Sequence, residues 1–398
     1  MGNTRRLRAM CFPETIDDED VDVMKNDKLG AEEQSPAPEM CRVSYHDMMF
    51  DVFYGEVGEA NRKMALPMVL GKILCGSSLV RNLAKLPQLL IAGATGRGKS
   101  VFLHSFLCSL IQNKSPEEVR FVLMDPKCVE FNKYADLPHL LTPLVYDAKE
   151  GCKALKKIAE EMDRRFRMFT EAKCSDIVTF NEGNDKEKLP YLVVIVDELS
   201  DFMIQTHERF LALSIRIAAL GRAAGIHLVM ATSRLDRNVL PAELKVNIPA
   251  RLAFTVSCKA DSRTILDADG AESLNGSGDA LFRDNTGELI RLQAPYIDSK
   301  DVERIVAEVI RKYPGREVSF RCKGIWGRRK EVPAPACQDT LYLRAVELIR
   351  KTGRASISHL QRQLGIGYND AAKIIDLLEE RGIITPPKAP NGQREILN

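Results

Sequence analysis

"LLIAGATGRGKSVFL", Leu89 to Leu103, decides the fold. It opens on an apolar run of strand type, and "SVFLHSFLCSLIQ" after it carries a helical pattern. Between the two lies Gly93-x-x-x-x-Gly98-Lys99-Ser100, the phosphate-cradling loop pattern, in the strand–loop–helix setting that gives it meaning. Glycines let backbone N–H groups wrap phosphate oxygens, and the N-terminus of the following helix adds a favourable dipole. The candidate nucleotide cradle is Gly93, Ala94, Thr95, Gly96, Arg97, Gly98, Lys99, Ser100 and Val101. Lys99 is placed to reach the β and γ phosphates of ATP, and the Ser100 hydroxyl to hold Mg²⁺.

Working outward, alternating apolar runs and helical patterns from about Arg62 to Cys258 give an α/β signature. Strands are expected at 89–93, 119–125, 191–197, 226–231 and 250–256, their ends meeting polar or small residues. That arrangement suits a site at the carboxyl edge of a parallel sheet. Residues 1–45 carry the acidic run "DDEDVDV" and "QSPAPE" without periodicity, and read as a disordered lead-in. The α/β unit is expected to span 46–320. The basic, Pro-containing stretch 321–338 reads as a linker, and 339–398 as a compact unit of its own.

Composition narrows the function classes. The chain has 398 residues, room for two or more domains, and a formal net charge of +2 that does not by itself announce nucleic acid. Its 10 cysteines form no C-x-x-C pair, which argues against a zinc site or a disulfide framework. No apolar run is long enough for a membrane span, and "MGNTRRLRAMCFPE" lacks the apolar region of a secretory signal, so a cytoplasmic protein is expected.

"YLVVIVDELSD" (191–201) supplies the second half of a nucleotide-hydrolysing site. Asp197 at the strand end is the candidate partner of Ser100 on Mg²⁺. Glu198 beside it is the candidate base for the attacking water. A third strand ends in "IHLVMATSR", with Thr232 and Ser233 as candidate sensors of the γ-phosphate. "LMDPK" brings Asp125 and Lys127 to the same edge, where ordering a loop is as good a reading as chemistry. Ring-shaped motors supply an arginine in trans to the γ-phosphate. Arg222 in "AALGRAAGIH" is the first candidate for this and Arg263 in "ADSRTILD" the second; a surface or capping role is the plainer alternative for each.

"GATGRGKSV", "SPEEVRFVLMDPK", "LPHLLTPLVYD", "LPYLVVIVDELSD", "AAGIHLVMATSR", "IPARLAFTVSCKADSRTILDADGAESL" and "GSGDALF" together resemble the motor of the FtsK/SpoIIIE DNA translocases. The resemblance runs from about Ala65 to the C-terminus. It implies a RecA-like P-loop NTPase motor that assembles as a homo-hexamer around double-stranded DNA and moves it by ATP hydrolysis. In that family the work is chromosome segregation and cell division at the septum, with activation of a site-specific recombinase. Related P-loop ATPases of conjugation and protein secretion, and a low-turnover DNA-binding regulator, are the alternatives. The family's A-T-Q-R-P reads Ala231-Thr232-Ser233-Arg234-Leu235 here, so a shorter side chain stands at the sensor. The membrane-spanning region typical of the family is not expected in this chain, and the stretch before Arg62 does not resemble the small domain that usually precedes the motor.

At the C-terminus, "TLYLRAVELIRKTG", "SISHLQRQLG" and "GYNDAAKIIDLLEERG" read as three helices, and "IITPPKAPNGQREIL" as a hairpin turning at Asn391-Gly392. This is a winged helix-turn-helix pattern. Ala371, Ile374, Ile375 and Leu378 form one apolar stripe on the third helix, with Asn369, Lys373 and Asp376 on the opposite face. The segment resembles the DNA-reading γ domain of the same family, which makes those three the candidate base readers. The family usually has Asn, Arg and Glu there, and an Arg where Asp370 stands. Arg354, Arg362, Lys388 and Arg394 are candidate phosphate contacts.

Overall fold

The computed structural model describes residues 49–50 and 63–314, apart from 74, 87 and 185–187. Nearer the C-terminus it describes 345–346, 348–349, 352, 355–364, 371–372, 374–375, 378–379 and 385. The lead-in, the linker, the expected hairpin apart from Thr385, and Arg354, Asn369, Lys373, Asp376, Lys388 and Arg394 lie outside the described residues.

In chain order the first unit runs β1 (Pro67–Ile73), β2 (Ser78–Asn82), β3 (Leu89–Ala92), α1 (Lys99–Asn113), β4 (Val119–Met124), α2 (Ala148–Ala172), α3 (Ile177–Glu182) and β5 (Tyr191–Val196). It continues with α4 (Leu199–Leu220), β6 (Ile226–Thr232), α5 (Ala242–Val246), β7 (Ala250–Phe254), α6 (Lys259–Leu266), β8 (Asp279–Arg283), β9 (Leu289–Gln293) and α7 (Ser299–Lys312). The strands form one nine-stranded sheet in the order β2-β1-β9-β8-β7-β3-β6-β5-β4.

Strands β3 to β7 pair in parallel, and all five match the strands expected from sequence to within two residues at each end. Each is buried along nearly its whole length, because helices cover both faces of a parallel sheet. Alternate residues serve two cores. Leu89, Ile91, Phe121, Leu123, Val193 and Ile195 pack on the side of α1 and α7. Leu90, Val122, Met124, Leu192, Val194 and Val196 pack on the side of α2 and α4. Burying a side chain of this size contributes roughly 1.5–3 kcal/mol, so these strands hold the sheet together before any polar contact is counted.

Register sets the site. Ala92 on β3 stands level with Thr232 on β6, and Val196 on β5 with Met230. The loop after β3, the acidic pair after β5 and the polar end of β6 therefore emerge side by side. The remaining strands, β8, β9, β1 and β2, extend the sheet from β7 in antiparallel fashion.

A separate C-terminal unit holds α8 (Ile357–Leu364) and its own small core of Ala345, Ile349, Ala355, Leu360, Ala371, Ile374, Ile375 and Leu378. The apolar stripe expected on the third helix is thus buried. Among the described residues no helix is long and apolar enough to cross a membrane.

Candidate nucleotide site

The loop Gly93–Gly98 closes directly from β3 onto α1. Gly93 has φ +150°, and a Cβ there would stand 2.8 Å from Phe254 Cβ on β7 and 3.1 Å from the Phe254 backbone. Only glycine lets β3 turn away this close to its neighbour strand. Gly98 enters α1 at φ 115° with no side-chain cap, and no acidic residue lies in the first turn. The N-terminal N–H groups of α1 are thereby left for an anion. Lys99 Nζ donates to the carbonyls of Gly93 (2.7 Å) and Ala94 (3.0 Å), so the ammonium sits inside the loop it follows. Thr95, Gly96 and Arg97 form the exposed tip, and Ala94, Ser100 and Val101 are half-buried. Gly276 and Gly278, in the loop before β8, lie against Arg97 and Gly98.

Glu198 caps the end of β5 and is 3% exposed. Its Oε1 accepts from the Thr232 hydroxyl (2.8 Å), the Ser200 hydroxyl (2.9 Å) and the Ser233 N–H (3.2 Å). Its Oε2 accepts from the Ser233 hydroxyl at 2.5 Å and the Ser233 N–H at 3.2 Å. Burial alone pushes this carboxyl up, but the hydrogen bonds from Ser233, Thr232 and Ser200 outweigh it and hold it below the usual range. The arrangement fixes an ionised carboxylate by the very residues the sequence marked as γ-phosphate sensors. Ser200 is an addition that no motif announced.

Asp197 is 8% exposed at the same strand end. Among the described residues no cluster of three or more His, Cys, Asp or Glu forms a metal cage. A nucleotide-site Mg²⁺ does not need one: it takes a hydroxyl, one or two carboxylates, phosphate oxygens and waters. Ser100 and Asp197, both hard oxygen donors on the carboxyl edge, fit that ion.

The other predicted residues fall into place unevenly. Asp125 is fully buried, and its Oδ2 accepts from the N–H groups of Glu130 (2.9 Å) and Phe131 (3.1 Å), so it orders the loop after β4. Lys127 is exposed. Arg222 is exposed in the turn between α4 and β6, at the amino edge of the sheet, away from its own loop of glycines. Arg263 lies on α6 at the carboxyl edge, where it forks onto Asp269 through Nε (2.6 Å) and Nη2 (2.9 Å). Arg362 is exposed on α8.

The model of the FtsK/SpoIIIE family matches residues 56–237, and that of the Ftsk gamma domain matches 336–398. "DNA translocase FtsK" of Leptospira interrogans serogroup Icterohaemorrhagiae serovar copenhageni is 40% identical over 359 residues, 87% of this chain and 37% of that protein. "DNA translocase FtsK" of Campylobacter jejuni serotype O:2 is 42% identical over 344 residues, 85% of this chain and 36% of that protein. The chain thus spans little more than a third of the length of these relatives. Among solved structures, the pCW3 conjugation coupling protein TcpA, in monomer form with ATPγS, aligns with TM-score 0.57 and 25% identity over 63% of this chain and 72% of its own. The cytoplasmic domain of the type VII secretion ATPase EccC of Thermomonospora curvata shares the fold, with TM-score 0.56 and 23% identity over 62% of this chain and 31% of its own.

Proposed function

The chain belongs to the FtsK/SpoIIIE family, and from that premise we propose that it is an ATP-driven translocase of double-stranded DNA serving chromosome segregation and cell division. Residues 46–320 are the motor, 321–338 the linker and 339–398 the domain that reads DNA. The motor works as a ring, a homo-hexamer, with the C-terminal unit also available to a site-specific recombinase. The chain acts in the cytoplasm, brought to the septum by a partner.

One observation carries the hydrolytic half of this reading: a buried, ionised Glu198 held by Thr232 and Ser233 on the sheet edge that also carries the glycine loop. Lys99 and the N–H groups of the loop bind and orient the phosphates. Ser100 and Asp197 would hold Mg²⁺, which would supply positive charge against the phosphates. Glu198 accepts a hydrogen bond from the attacking water and takes its proton as the P–O bond breaks. Thr232 and Ser233 keep that carboxylate aimed. An arginine of a neighbouring subunit, Arg222 first and Arg263 second, meets the developing charge. The DNA half is supported by the named function of the relatives and by the match to the gamma domain. The sequence likeness to translocases exceeds that to the conjugation protein, which favours chromosomal DNA as the polymer moved.

The test is the rate of ATP hydrolysis with and without linear double-stranded DNA. We expect strong stimulation by DNA, and its abolition in Lys99→Ala with the fold intact by circular dichroism. Turnover retained in Lys99→Ala would remove the site assignment. ATP binding without any DNA response would favour the DNA-bound regulator.

A further inference from the structure

The antiparallel half of the sheet has no part in the mechanism so far, yet a loop that it holds reaches the phosphate cradle. Between α6 and β8 the chain runs Asn275-Gly276-Ser277-Gly278. Gly276, Ser277 and Gly278 have φ of 85°, 51° and 90°, three left-handed residues in succession. Glycine takes that conformation freely and serine does not, so such a run persists only where its surroundings hold it. The holders come from β8 and β9. The Asp279 carboxylate accepts from the Asn275 N–H at 2.9 Å, and the Asp279 N–H donates to the Gly276 carbonyl at 3.0 Å. Arg291 forks onto the same carboxylate through Nε (3.1 Å) and Nη2 (2.7 Å). Gln293 Nε2 donates to the Ser277 carbonyl at 2.7 Å, and the Ala294 N–H to the Gly278 carbonyl at 2.8 Å. Arg291 and Gln293 stand two apart on β9 and so share one face of it.

This loop lies against the cradle at both of its ends. A Cβ on Gly276 would stand 3.2 Å from Arg97 Nη1, and one on Gly98 would stand 3.3 Å from the Gly278 N and Cα atoms. Leu274, just before the loop, accepts from the Thr255 hydroxyl at 3.4 Å, and the Thr255 carbonyl accepts from the Ala94 N–H at 2.9 Å. The crown of the cradle is open by comparison: a Cβ on Gly96 would meet nothing within 4 Å among the described residues. A cradle binds phosphate well when its N–H groups are already in place, because ordering them on binding is subtracted from affinity.

We propose that Gln293 is a positioning residue for nucleotide binding. Through the Ser277 carbonyl it holds the 275–278 loop against Arg97 and Gly98, and that loop keeps the cradle in the shape that grips ATP. Of the three left-handed residues, Ser277 is the one whose side chain disfavours the conformation, and its carbonyl is the one that Gln293 ties down. The cradle holds phosphate before and during hydrolysis alike, so loosening it weakens binding without slowing bound ATP. The inference rests on the nucleotide-site reading given under Proposed function.

The experiment is equilibrium binding of a fluorescent ATP analogue to the full chain with Mg²⁺, together with KM and kcat for DNA-stimulated ATP hydrolysis. Gln293→Met keeps the length of the side chain and removes the donor. We expect it to raise Kd and KM about 3–10-fold, the worth of one hydrogen bond, with kcat at the parent value. A role in stability alone does the reverse: fewer chains are folded, so kcat and the binding amplitude fall while Kd and KM stay put. Gly276→Ala presses on the cradle from the same loop, at Arg97, and should move Kd and KM in the same direction; it is the readout if Gln293→Met does not fold. Parent-like Kd and KM in the folded variants would overturn the role of Gln293 while leaving the nucleotide site standing. A parent chain that binds no analogue would overturn both.

Discussion

Ser233 is where a departure from the family pattern acquires a physical meaning. This serine turns its hydroxyl onto Glu198 at 2.5 Å and adds its N–H. The candidate sensor and the candidate base are therefore one hydrogen-bonded unit, with Thr232 and Ser200 as further supports. Two variants separate aim from chemistry. Glu198→Gln should keep nucleotide affinity and lower turnover by about 10²–10⁴, the usual worth of a general base. Ser233→Ala leaves Thr232, Ser200 and the Ser233 N–H in place, so it should cost no more than about 10²-fold. Single-turnover hydrolysis of bound ATP measures both. A Ser233→Ala loss as deep as that of Glu198→Gln would mean that the serine does more than hold the carboxylate.

Among the elements, α2 carries a charge pair that no motif announces. Glu161 and Arg165 are both fully buried and bonded at 2.9 Å, and Arg164 closes on the same carboxylate at 2.7 and 2.8 Å. Arg165 also donates to the carbonyls of Ala224 (2.7 Å) and Pro190 (2.8 Å), which ties α2 to the turn that bears Arg222 and to the start of β5. Arg165→Met leaves a buried carboxylate and two carbonyls short of a donor, and should cost about 3–5 kcal/mol in a denaturant titration. Burial raises the Glu161 carboxyl, but the bonds from Arg164 and Arg165 outweigh it and the net direction is down. A depressed carboxyl contributes stability above its unfolded value of about 4.3 and loses it as pH falls through the folded one. Replacing Glu161 by Gln should therefore flatten the loss of stability below about pH 4, and an unchanged acid limb would count against the pair.

The five parallel strands were readable because both faces are covered, which leaves near-continuous apolar runs such as Tyr191–Val196. The antiparallel extension was not, since β2 and β9 are short and half-exposed and mix polar residues into the pattern. The glycine loop and the acidic pair announced themselves by local motif. The grip of Ser233 on Glu198 did not, because it depends on β5 lying beside β6, an adjacency that no local pattern encodes.

Taken as a whole, the motor unit places its two candidate reaction centres at opposite ends of one helix. α4 begins at Glu198 on the carboxyl edge and ends just before Arg222 on the amino edge. Its 22 residues span about 33 Å at 1.5 Å each, less the bend at Thr206, where the helical backbone is broken. Any nucleotide that Arg222 meets would therefore be that of a neighbouring chain in the proposed ring. Subunit mixing tests this directly. Chains with Arg222→Ala keep an intact glycine loop, and chains with Lys99→Ala keep an intact arginine; each alone should be inactive. In a random equal mixture about a quarter of the ring's head-to-tail interfaces pair a working loop with a working arginine, so DNA-stimulated hydrolysis should reappear. Absence of rescue at every ratio would return Arg222 to an ordinary surface role. Full activity of Arg222→Ala on its own would pass the part to Arg263, whose fork onto Asp269 would then have to open at the subunit boundary.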